Sequence, residues 1–154
     1  MSLDRTWIES HIPHRYKMCL LDSVETWDAE RIVCRASSHR NADNPLRAHG
    51  RLGISCGIEY AAQAMAVHGA LAVSGGEQPQ IGYLTSVRSV ALHATRLDDI
   101  ATDLEIEAIR RSGNQHSILY DFSVRSNQSE LLSGRAAVLL DAARIIDPSA
   151  KPIS

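Results

Sequence analysis

Residues 51–76 read RLGISCGIEYAAQAMAVHGALAVSGG, and the fold turns on how this stretch is accommodated. Ala and Gly dominate it, apolar residues fall on nearly every face, and glycines bound it. Between Leu52 and Ser74 the one formally charged side chain is Glu59. A helix apolar all round is a buried helix, and about 17 residues, from Ser55 to Leu71, would run about 25 Å. One turn to either side of Glu59 stand Ser55, Cys56, Ala62 and Gln63, none of them a cation. An ionised carboxylate buried there needs a partner from elsewhere. The small residues require something else to approach closely. The stretch predicts a central helix wrapped by a sheet, with Glu59 as its chemical feature; a core carboxylate that only hydrogen-bonds to a neighbour fits the same pattern. Glu59, Gln63, His68 and five glycines interrupt the apolar run, which argues against a membrane span.

The whole chain has 154 residues, a length that suits one domain, 1–154, with a sizeable core. A net charge of −2 leaves no electrostatic footprint for nucleic acid. Cys19, Cys34 and Cys56 match neither a disulfide framework nor a zinc spacing, which points to reduced, buried thiols of a cytoplasmic protein. The opening MSLDRTWIES lacks the apolar core of a signal peptide. Seven histidines are scattered without paired spacing, so no metal site is expected.

Outward from the helix, the period changes from 3.6 to 2. Before it, Thr6 to His11 suits a single helical turn ended by Pro13, Met18 to Trp27 a first strand, and Arg31 to Ser38 a second. HRNADNPLRAHGRLG reads as a loop feeding the helix, which ends near Gly75-Gly76. After it come Tyr83 to Ala94, Asp103 to Arg111, a hairpin signal at Ser112-Gly113-Asn114, SILYDFSVR, and a last strand in ELLSGRAAVLLDA. The tail from about residue 147 looks frayed. Antiparallel strands need only short turns, and a shielded helix needs a sheet curled around it. The expected architecture is α+β, a hotdog fold: one long helix gripped by a curved antiparallel sheet of five to six strands. A single such sheet leaves one edge and part of the helix uncovered, so a dimer is expected.

IPHRYKMCLLDSV at residues 12–24 resembles the opening of the 3-hydroxyacyl–acyl carrier protein dehydratases, with Lys17 where a second proline is usual. GIEYAAQAMA at 57–66 resembles their helix, an Ile-Glu pair with Gln four residues after the Glu. Asn44-Pro45-Leu46 followed by Gly50-Arg51-Leu52 is similar to a divergent branch, the predicted dehydratases of aryl-polyene and related lipid gene clusters. The resemblance implies a hotdog fold over the whole chain and dehydration of 3-hydroxyacyl thioesters to 2-enoyl thioesters in lipid synthesis, with no cofactor. It also implies that Glu59 works with a histidine from the preceding loop, supplied across a dimer interface. The family's His-Phe-Pro turn is absent here. His49 lies closer to Glu59 in sequence than the family histidine would, His39 farther, and Asn44 nearer the expected position.

For this chemistry, N–H groups around Cys56, Gly57 and Ile58 could accept the negative charge that develops on a thioester carbonyl. Gly57 would admit substrate to that backbone. A desolvated Glu59 would protonate the leaving hydroxyl, His49 would be the base, and Gln63 would orient Glu59 or simply bond within the core. His14, His68, His93 and His116 are expected to be structural or exposed. Arg40, Arg47 and Arg51 at the helix entrance could attract an acidic carrier protein or the phosphates of coenzyme A. Expected partners are an acyl carrier protein- or coenzyme A-linked substrate and a second subunit, identical or a related hotdog chain, with neither nucleic acid nor membrane. Two rivals share the fold. A thioesterase would use the carboxylate to activate water, and a catalytically degenerate subunit would stabilise an active dehydratase partner.

Overall fold

In the computed structural model the described residues are 3–12, 18–72, 82–114 and 116–140. Elements follow in the order β1 (Leu3–Asp4), α1 (Arg5–His11), β2 (Ser23–Trp27), β3 (Arg31–Ala36), α2 (Gly57–Ala72), β4 (Gly82–Leu92), β5 (Leu104–Gly113), β6 (Ser117–Ser126) and β7 (Ser129–Leu140). The strands form one antiparallel sheet in the order β1-β2-β3-β5-β6-β7-β4. Seven strands among the described residues exceed the expected five to six because Leu3–Asp4, too short to leave a periodic signal, pairs with β2. Pro13 to Lys17, with His14, and the tail from residue 147 lie outside the described residues, as does Gly75-Gly76.

Local chemistry sets the hairpins. Asp28 Oδ1 accepts the N–H groups of Glu30 and Arg31 and turns β2 into β3. Asn127 and Gln128, with φ of 50° and 68°, make the tight turn between β6 and β7, where Ser126 faces Ser129; positive φ at both central residues matches the twist of the strands. Alternation then sorts the faces. Ile106 and Ala108 of β5, Tyr120, Phe122 and Val124 of β6, and Leu132 of β7 turn inward and are buried with Tyr60, Ala61, Ala64 and Val67 of α2.

The chain leaves β3 near the middle of the sheet, runs along α2 over β3, β5 and β6, and returns at the far edge as β4. The helix is not buried on every face. Gly57, Tyr60, Ala61, Ala64, Val67 and His68 are buried at helical spacing, whereas Ile58, Ala62 and Ala66 are half-buried and Glu59 is exposed. Composition hid this, because alanine occupies both faces. Among the described residues β4 pairs only with β7, and its Leu84, Val90 and Leu92 are exposed. No helix among the described residues is long and apolar enough to cross a membrane.

Candidate active site

The start of α2 is fixed from two sides. Leu52 donates its N–H to Asp98 Oδ1 at 2.9 Å, Leu97 returns a backbone bond to Leu52, and Ile54 bonds to the Thr95 carbonyl. The Arg96 guanidinium on Asp98 holds that carboxyl well below the usual carboxylate range. This short ladder delivers residues 54–56 as a 3-10 turn directly into α2.

On the other side a polar cluster staples the preceding loop to the helix. The Ser38 hydroxyl donates to the Leu20 carbonyl at 2.7 Å, so it accepts from the Tyr60 hydroxyl, also at 2.7 Å. Asn44 Nδ2 donates to Tyr60 Oη at 3.1 Å and to the Ser38 carbonyl at 2.9 Å, and its Oδ1 accepts the Leu46 N–H. Burial pushes the Tyr60 phenol up. Asn44 is 6% exposed, and both its N–H groups are used within the protein, so it holds the loop instead of presenting an amide to a substrate. Gln63 behaves alike: its Oε1 accepts the Leu20 N–H at 2.8 Å and its Nε2 donates to the Met18 carbonyl at 2.6 Å. Of the two roles weighed for Gln63, orienting Glu59 and core hydrogen bonding, the geometry has the second.

The helix start is similarly occupied. Cys56 donates its N–H to the Gly53 carbonyl, and Gly57 to those of Ile54 and Ser55. Neither amide is therefore free for a developing oxyanion. A Cβ at Gly57 would stand 2.3 Å from Leu132 Cδ2, so this glycine admits β7 rather than a substrate. Cys56 is half-buried, which raises its thiol. Ile58 is half-buried on the open side of the helix.

Glu59 projects from the first turn of α2, exposed, and forms no hydrogen bond or ion pair among the described residues. The burial expected of it is absent among the described residues. The helix dipole favours a negative charge at this end. His49 occupies the tip of a tight turn in which Ala48 faces Arg51; His49 and Gly50 have φ of 54° and 76°, and the imidazole is exposed. The other described histidines have other partners or places. His39 is buried with Nε2 donating to the Ile100 and Thr102 carbonyls at 3.0 and 3.1 Å. His68 Nε2 donates to the Asp28 carbonyl and Nδ1 accepts from the Tyr120 hydroxyl, each at 2.8 Å. His93 meets Glu130, His11 stacks on Trp7, and His116 is exposed. No described histidine is hydrogen-bonded to Glu59. Of the entrance arginines, Arg40 is tied to Asp103 and Arg47 to the Asn41 carbonyl, which leaves Arg51 exposed and without a side-chain bond among the described residues.

A curved antiparallel sheet around one helix, with a single carboxylate at the open side of that helix's first turn, defines a hotdog-fold protein. The profile of the ApeP-like family, described as ApeP dehydratase, matches residues 6–146, and the chain belongs to that family. Among solved structures it is similar to the dehydratase heterocomplex ApeI:P from Xenorhabdus doucetiae, at a TM-score of 0.74 and 18% identity, covering 91% of this chain and 97% of that one. It is also similar to a mutant thioesterase from Pseudomonas aeruginosa, at 0.56 and 12% identity over 76% of this chain and 78% of the other. A hypothetical thioesterase solved with coenzyme A, from Streptococcus pneumoniae, matches at 0.55 and 10% identity over 76% and 83% of the two chains. At these identities the likeness is one of fold. No curated protein gives a significant match.

Proposed function

We propose that the chain acts in the dehydration of 3-hydroxyacyl thioesters, carried on acyl carrier protein or coenzyme A, to 2-enoyl thioesters. Membership of a dehydratase family supports the reaction class. The observation that carries the assignment to Glu59 is its placement: an exposed carboxylate without a partner among the described residues, at the first turn of a helix whose other polar side chains are all bonded. Dehydration takes a proton from the α-carbon and gives one to the departing β-hydroxyl, which leaves as water. Glu59 would supply the second proton, and an imidazole would take the first.

We assign that imidazole to a second subunit or to His49 brought in by one. The half-buried Ile58, Ala62 and Ala66 beside Glu59, and the edge strand β4 with its exposed Leu84, Val90 and Leu92, suit cover by another hotdog chain. The resemblance to a dehydratase heterocomplex favours a related but different subunit. Ile58 would then line the acyl path, with Asn44 and Gln63 holding the walls. The Glu59 geometry also admits the thioesterase reading, which needs no histidine and accords with the thioesterases of similar fold.

The test is turnover of a 3-hydroxyacyl thioester by the purified chain, alone and mixed with a hotdog dehydratase subunit that carries the His-Phe-Pro motif. Enoyl product only from the mixture supports the shared site. Strong activity from the pure protein with His49→Ala would overturn this assignment of the base, and release of free thiol instead of enoyl product would favour the thioesterase. Sedimentation should show a dimer, with itself or with the partner, at micromolar concentration.

A further inference from the structure

The face of the sheet turned away from α2 has a site of its own. Ser123 alternates with the buried core residues Phe122 and Val124 and lies in register with Glu107 of β5 and Ser133 of β7, so these three point outward. Around them the long side chains of Arg111, Arg125 and Arg135 rise from a floor of Ser89, Ser123 and Ser133, and the cavity they form has a volume of about 420 Å³.

Asp121 accepts the Nε–H of Arg111 at 2.6 Å and that of Arg135 at 3.0 Å, which anchors both guanidiniums over this floor. Neither makes another hydrogen bond among the described residues, so their terminal N–H groups are open. Arg125 lies in register with Glu105 and Glu130 yet pairs with neither. Glu105 is outside the lining, Glu107 is matched by Arg31, and Glu130 is met by His93. Each carboxylate that lines the cavity therefore has its own cationic or imidazole neighbour, and among the described residues Arg125 is the guanidinium left over.

The atom that points to a ligand is Ser123 Oγ. The residue is 7% exposed, and its hydroxyl is buried without a hydrogen-bond partner among the described residues. Buried hydroxyls are nearly always bonded, and an exception calls for a missing water, ion or ligand. An oxyanion here would accept the Ser123 proton and guanidinium N–H groups together, and the planar fork of arginine suits phosphate. The volume leaves room for more than the anion itself.

We propose that this cavity binds a phosphate group, free or carried on a small organic ester, held by Arg111, Arg125 and Arg135 above the Ser123 hydroxyl. The site lies across the sheet from Glu59 and does not depend on the dehydration reading.

The test uses the full-length protein and backbone amide NMR, with inorganic phosphate replacing chloride at constant ionic strength. The amides of Ser123, Ser133 and Gly134 should shift saturably. Arg125→Met should weaken phosphate binding by about tenfold or more, as expected for loss of a charge-assisted bond, and Ser123→Ala by less. Glu59→Gln should leave it unchanged. Coenzyme A is the second probe: tighter binding than phosphate at the same amides assigns the group to an ester, and binding no tighter assigns it to free phosphate. No saturable shift at tens of millimolar phosphate, or unchanged affinity in both folded variants, would overturn the proposal.

Discussion

At the buried positions of α2 the polar side chains of Tyr60, Gln63 and His68 are each bonded to a partner at least 22 residues away in sequence. Among the described residues Glu59 has no hydrogen-bond or ion-pair partner, and beside it Ile58, Ala62 and Ala66 are half-buried. Among the described residues, one helix thus carries side chains that its own chain completes and others that it leaves open. The completed face costs stability if disturbed, because a buried polar group stripped of its partner retains its desolvation penalty. The unfinished face costs the fold little if altered, and that tolerance leaves room for chemistry.

The sharpest way to break this contrast is Glu59→Gln. It should lower dehydration by about 10²–10⁴-fold, the usual worth of an acid–base group, while stability stays within about 0.5 kcal/mol, as for an exposed substitution. A variant that unfolds instead would show Glu59 to be structural. On the completed face, Gln63→Met keeps the size of the side chain and strands the Leu20 N–H. A loss of about 1–3 kcal/mol in denaturant unfolding is expected. Tyr60→Phe removes one hydroxyl from the chain linking Asn44, Tyr60 and Ser38, but leaves Asn44 bonded to the Ser38 carbonyl and Ser38 to Leu20. The expected cost is smaller, about 1 kcal/mol, again read by unfolding. Equal costs for Gln63→Met and Glu59→Gln would erase the distinction between the faces.

The smallest effect sharpens it through pH. Burial lowers the His68 pKa from its ordinary 6.5, against the opposing pull of the Asp28 carbonyl, and burial lowers that of His39 as well. The native rings therefore take up protons less readily than those of the unfolded chain. Their contribution is therefore complete above the unfolded value of 6.5 and is lost as pH falls from there toward the folded-state values. The melting temperature should drop across that window, and His68→Gln should flatten part of the slope.

Much of the fold was legible in the chain. Period-2 alternation marked β5 and β6, Gly113-Asn114 marked their hairpin, and the Ala-rich stretch marked α2 to within two residues of its N-terminus. The candidate site was legible only in part. Glu59 stood out because no other charge occurs in its stretch, and its exposure was missed because alanine reads as apolar on whichever face it lies. Asn44 reads as standing near the place of the absent histidine, and Gln63 as orienting Glu59 or bonding within the core, but the residues that consume their amides, Ser38, Tyr60, Met18 and Leu20, are 6 to 45 positions away. Ser123 was missed altogether. As one serine in an alternating strand it carries no signal until its neighbours on β5 and β7 are known.

What the sequence determined by itself is what local physics encodes: side-chain period, turn chemistry, and a carboxylate set alone in an apolar helix. Such features depend on residues a few positions apart, whose geometry the backbone nearly dictates. What only the tertiary structure decided is which polar groups are already satisfied. That depends on pairs distant in sequence, such as Gln63 with Met18 and Leu20 or His68 with Asp28 and Tyr120. A hydrogen bond is directional and short-ranged, so an amide or imidazole is spent or free according to a placement of about an ångström, which the whole packed chain sets.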